Sequence, residues 1–193
     1  HAQVVNIDSA YRDPVGAIWW PGYVGLWRYY QDRFVLMPWP AGVRGGDWFL
    51  HTLHGDGSGG LWADIGGHGF KHFRDGKWED TTPGGYPAGA TSAVFEDTQG
   101  RVWLSTLPDR LHRIEGGKTH TYTSEQGPQV GRVMAIGGRG PHLWVAGELG
   151  LALYHQGRFS KIVSAKNDTL GSISGLVETA SGDLWLSDVQ GAI

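Results

Sequence analysis

A tryptophan-bearing word returns through the chain at an almost fixed interval. "GAIWWPG" (16–22), "GGLWADI" (59–65), "GRVWLST" (100–106), "PHLWVAG" (141–147) and "GDLWLSD" (182–188) place Trp19, Trp62, Trp103, Trp144 and Trp185 at separations of 43, 41, 41 and 41 residues. A period near 41 that runs the length of the chain marks a repeat architecture, so each unit must be one supersecondary element.

The third unit shows what that element is. "TSAVFED" (91–97), "RVWLST" (101–106), "RLHRIE" (110–115) and "KTHTYT" (118–123) are strand-length words separated by "DTQG", "LPD" and "GG". Those breaks are turn chemistry rather than helix caps. Four strands of about five residues per ~41-residue repeat match a propeller blade. A sandwich would not repeat a Trp word at constant period, and β-helix repeats are much shorter. The expectation is an all-β chain, a β-propeller segment of four complete four-stranded blades (about 4–36, 47–81, 90–123 and 130–163) with a partial fifth (173–193), read as a single segment of a longer protein.

Within the repeat, Asp-x-x-Gly precedes the Trp strand three times, from Asp13 to Gly16, Asp56 to Gly59 and Asp97 to Gly100. An Asp side chain can close such a turn on backbone amides while Gly supplies a positive φ. Gly138 and Thr179 replace the acid in the last two units. The Trp is expected to wedge between neighbouring blades while its N–H finds a carbonyl. After it come outer hairpins, "GLWRYYQDRF", "GFKHFRDGKW", "RLHRIEGGKT" and "GLALYHQGRF", with Gly or Asp-Gly type turns.

The combination D-x-x-G-x-(I/L/V)-W followed by G-L-x-x-Y-x-x-G-x-F resembles the two-component regulator propeller repeat. Gly150, Leu151, Tyr154, Gly157 and Phe159 fill the positions best, while Arg110 stands where the third unit's glycine would be. The resemblance implies the ligand-binding sensor domain of bacterial hybrid sensor histidine kinases and related signalling proteins. It also implies a periplasmic or other extracytoplasmic site in a membrane-anchored protein, with the signal passed to a kinase or cyclase module. The same G-x-L-W repeats are shared with propeller lyases that open cyclic streptogramin antibiotics, so a lyase or hydrolase is the rival reading and a protein–protein platform a third.

Composition narrows the chemistry. The chain has 193 residues, 32 Gly, 10 Trp, no Cys and a net charge of −3, with no basic run to suggest nucleic acid. No stretch approaches the 18 apolar residues of a membrane span. The chain starts at His1 without a basic-then-apolar leader, so any targeting signal is expected outside it. His51 and His54 are three apart on a strand and point to opposite sides; His68 and His72, four apart, sit roughly 13 Å from each other. No metal, cofactor or catalytic set is therefore expected, and no Walker loop, G-x-S-x-G or H-E-x-x-H occurs.

What remains is a binding face. In a propeller the turns between second and third strands, and the connections between blades, lie on one side. They gather Trp39, Arg44, Tyr23, Tyr86, His68, Asp109 and Glu148 as candidate contacts for a small polar ligand such as a saccharide. An open arc would also bare two end faces, with Val5, Ile7 and Trp19 at one end and Leu176, Leu184 and Trp185 at the other. Self-association is expected from them.

Overall fold

A computed structural model describes residues 10–22, 24–43, 50–56, 58–66, 68–80, 91–123, 125–164, 170–188 and 191–192. They contain nineteen strands and no helix. Val5, Ile7, Tyr23, Arg44 and Tyr86 lie outside the described residues.

The chain forms two compact units, split between Ala90 and Thr91. In the first, β1 (Tyr11–Arg12), β2 (Ile18–Gly22), β3 (Gly25–Tyr30) and β4 (Arg33–Pro38) form one antiparallel meander. A second is built from β5 (Leu50–Gly55), β6 (Leu61–Ile65), β7 (Gly69–Arg74) and β8 (Lys77–Asp80). In the other unit, β9 (Thr91–Glu96), β10 (Val102–Thr106), β11 (Arg110–Glu115) and β12 (Lys118–Tyr122) form the third blade. β13 (Val133–Gly137), β14 (Leu143–Gly147), β15 (Gly150–His155) and β16 (Arg158–Ile162) form the fourth. β17 (Gly175–Glu178), β18 (Leu184–Asp188) and β19 (Gly191–Ala192) make a three-stranded fifth.

Every residue of β6 and β10 is buried, so both faces of these second strands are covered. The outer strands β12 and β16 are mostly exposed along their length. The hairpins between third and fourth strands are closed by Gln31-Asp32, Asp75-Gly76, Gly116-Gly117 and Gln156-Gly157, all at positive φ. That is the requirement of a type I′ turn, whose twist suits a tight hairpin.

The Trp residues tie blade to blade. Trp19 clusters with Leu61, Ala63, Ile65 and Phe73 of the second blade. Trp103 clusters with Val133, Leu143, Val145 and Tyr154 of the fourth. Trp144 packs with Leu176, Leu184 and Leu186 of the fifth. Three end-face expectations are thereby corrected. Trp19 is 3% exposed and covered by the second blade, while Leu176 and Leu184 face the fourth blade. The apolar pair left open on the fifth sheet is Val177 and Trp185, cross-strand partners at 64% and 59% exposure.

Candidate ligand-binding face and buried polar network

The turns before the Trp strands close as their chemistry demands. Asp97 Oδ1 accepts the amides of Gln99 (2.9 Å) and Arg101 (3.0 Å), and Asp13 Oδ1 accepts those of Val15 (3.1 Å) and Ala17 (2.8 Å). The glycine at the fourth position takes φ of +88°, +99° and +72° in the first three blades. The indole finds a carboxylate rather than the expected carbonyl. Trp19 Nε1 donates to Asp13 Oδ2 at 2.9 Å, and Trp103 Nε1 donates to Asp97 Oδ2 at 2.8 Å. In the fourth blade the acid comes from the next sheet, with Glu178 Oε2 accepting Trp144 Nε1 at 3.2 Å and the Arg139 amide at 2.9 Å.

The second blade diverts its acid. Asp56 Oδ2 meets His72 Nε2 at 2.8 Å and Arg74 at 3.2 Å, while Trp62 stacks on the His72 ring at 4.0 Å. Burial pushes the Asp56 carboxyl up, but hydrogen bonds from Ser58, His72 and Gly60 outweigh it and hold the group well below the usual range. For Asp97, burial is likewise outweighed by Trp103, Arg101 and Gln99. His72 Nδ1 lies 3.4 Å from Glu79 Oε2, so both ring nitrogens face carboxylates.

His112 is 2% exposed and is held by Thr106 Oγ1 and Thr121 Oγ1, each at 2.9 Å. Burial, with the nearby Arg110 charge, lowers its pKa to about 4. Burial lowers that of His54 to about 4. Both rings stay neutral at pH 7, and the hydroxyls leave His112 no free nitrogen for a substrate. No group of three or more metal-ligating side chains occurs among the described residues.

Of the residues expected at a binding face, Trp39, His68, Asp109 and Glu148 are among those described. His68 sits in the β6–β7 turn, half-buried, its amide bonded to Ile65 O at 2.9 Å. Asp109 and Glu148 occupy equivalent β10–β11 and β14–β15 turns, and both are exposed. Trp39 offers no open ring: it is 8% exposed, donates to Gly22 O at 3.1 Å and packs 5.7 Å from Trp78. It stands in a connection between blades, and its burial depends on a partner 39 residues away.

Three residues absent from the sequence reading lie in or beside these turns, Arg132 just before β13 and two leucines within them. Arg132 Nε pairs with Glu148 Oε1 at 3.1 Å. Leu107 and Leu149, at 46% and 57% exposure, stand beside Asp109 and Glu148. Their signal in the sequence is an apolar residue in a turn position that needs none.

No protein-family model and no curated protein matches the chain. Solved structures do match in shape. The extracellular domain assigned to the hybrid two component system BT3049 of B. thetaiotaomicron aligns with a TM-score of 0.71 at 16% identity, covering 98% of this chain and 28% of that one. A streptogramin B lyase aligns at 0.68 and 15%, covering 95% of this chain and 65% of the enzyme. A gluconolactonase of Xanthomonas campestris aligns at 0.64 and 14%, with 95% and 69% covered. The chain thus spans about a quarter of the sensor domain and about two thirds of each enzyme. At these identities the likeness is one of fold, and the fold is that of a β-propeller.

Proposed function

We propose that this chain is a ligand-sensing propeller module of an extracytoplasmic signalling protein. It binds a small polar molecule, a saccharide being the first candidate, and has no catalytic activity of its own. The signal passes to a kinase or cyclase module elsewhere in a longer, membrane-anchored protein. The observation that carries the reading is the pairing of exposed polar and apolar groups, Asp109 with Leu107 and Glu148–Arg132 with Leu149, on equivalent turns of consecutive blades. Aliphatic patches beside hydrogen-bonding groups suit a sugar. The likeness in shape to a two-component extracellular domain agrees with it.

The enzyme reading is favoured by the likeness in shape to lyase and lactonase propellers, of which this chain covers a larger share than of the sensor domain. Against it, the buried histidines His72 and His112 are locked by carboxylates and hydroxyls. A thermal-shift screen of mono- and oligosaccharides, with parallel assays of streptogramin ring opening and lactone hydrolysis, separates the two. A saccharide-dependent rise in Tm lost in the Glu148→Ala variant supports the sensor. Turnover in either assay overturns it.

A further inference from the structure

The interfaces between the first and second blades and between the third and fourth are built on one plan, and they differ in what surrounds one arginine. Trp19 and Trp103 each sit opposite an arginine on the third strand of their own blade, Arg28 and Arg113. Each indole also meets an aromatic residue from the next blade's third strand, Phe73 against Trp19 at 5.8 Å and Tyr154 against Trp103 at 4.7 Å. These two occupy the same register position, opposite Leu61 and Leu143.

In the third–fourth interface the Tyr154 hydroxyl accepts a hydrogen bond from Arg113 Nη1 at 2.9 Å. Arg101 covers Asp97, and Thr98 Oγ1 bonds across to Gly140 O at 2.9 Å. Arg113 therefore has a hydroxyl acceptor inside the interface, although its Nε is buried without a partner among the described residues.

In the first–second interface Phe73 has no hydroxyl, and Ala17 stands where Arg101 does. Arg28 makes no hydrogen bond among the described residues. Its nearest anion is Asp13 Oδ2 at 3.8 Å, already engaged by the Trp19 indole. The guanidinium lies between the Trp19 and Tyr30 rings, 5.3 and 4.9 Å from their centroids, with the side chain only 26% exposed. Beside it opens a cleft of about 690 Å³, floored by Trp19, Met37 and Phe73 and rimmed by Arg74 and Ser58. Arg28 is partly open to solvent, and its unused donors face the cleft mouth, where a ligand acceptor can reach them.

We propose that this cleft binds a small organic carboxylate, its head bidentate on Arg28 and its apolar body against Val15 and Met37, above the edges of Trp19 and Phe73. A planar guanidinium fixed by two rings presents the fork that matches a carboxylate. The volume lies in the ordinary range for small-molecule sites, roughly 300–1,000 Å³. Arg74 at the mouth is already paired with Asp56, and Asp13 and Asp75 also line the cleft, so one carboxylate on Arg28 fits better than a polyanion. The site is formed by the turns before the Trp strands and by the outer hairpin, whereas the face proposed above uses the turns after them. Neither proposal needs the other.

Benzoate is the probe, followed through the Trp19 indole N–H and Arg28 Nε–H signals in NMR titrations of the whole chain. Saturable shifts at both are expected, with neutral benzamide binding roughly tenfold or more weaker. Arg28→Gln should weaken benzoate by a similar factor. Phe73→Tyr is the second variant. It restores the hydroxyl seen in the sister interface, so it should abolish benzoate binding while leaving Tm equal or higher. Absence of saturable shifts, equal affinity for benzamide, or undiminished binding in Phe73→Tyr would overturn the proposal. Displacement of benzoate by equimolar sulfate would overturn the assignment to carboxylates.

Discussion

Trp103 donates its indole N–H to Asp97 Oδ2 at 2.8 Å, six residues back along the chain, and Asp97 Oδ1 simultaneously ties its own turn. One carboxylate thus fixes both the turn and the ring that fills the blade interface. Asp97→Ala leaves a buried indole N–H and two turn amides unpaired, which should cost about 2–4 kcal/mol in denaturant unfolding. Thr179→Ala in the exposed fifth-blade turn, where the hydroxyl accepts the Asp183 amide and bonds the Ser181 hydroxyl, should cost about 1 kcal/mol or less.

Gly138 occupies the fourth unit's position for that acid, yet restoring the motif should harm the protein. A Cβ built there would overlap the His142 carbonyl oxygen, so the turn has no room for a side chain. Gly138→Asp is expected to destabilise by roughly 1–3 kcal/mol. Glu178→Ala should cost a comparable amount by leaving Trp144 without its acceptor. A double variant should not recover stability, and chemical denaturation reads all three.

His54 and His112 set an acid limit. Each is held neutral when folded, with a pKa near 4 against an ordinary 6.5. The unfolded chain takes up these protons first, so stability is full above about pH 6.5 and falls as pH drops towards 4. His112 accounts for up to about 3 kcal/mol of the loss. His112→Gln should flatten that part of the Tm-against-pH curve. Below it, protonation of Asp56 and Asp97, whose folded pKa values lie below the ordinary range, removes further stability.

Gln156 carries φ +49° at the first position of a type I′ turn followed by Gly157. Asn tolerates that region better. Gln156→Asn should raise stability by about 0.5 kcal/mol, visible as a higher denaturation midpoint at unchanged slope.

Self-association is expected to run through the exposed Val177 and Trp185. Sedimentation of wild type and Trp185→Ser tests this. A concentration-dependent rise in mass that the substitution abolishes is expected, and identical profiles would discard the idea.

The sequence by itself determined the repeat, the strand words and the turns, because each is written in neighbouring residues. Strand alternation, Asp-x-x-Gly and paired turn residues act over a handful of positions. "RLHRIE" (110–115) is β11 to the residue. Tertiary structure decided the rest, since each remaining feature joins residues of different blades. Glu178 reaches Trp144 from 34 positions away, Trp39 is drawn inward by Trp78, and Phe73 rather than Tyr leaves Arg28 without an acceptor. None of these pairings leaves a mark in local pattern, because whether a donor is satisfied depends on what the next blade brings against it.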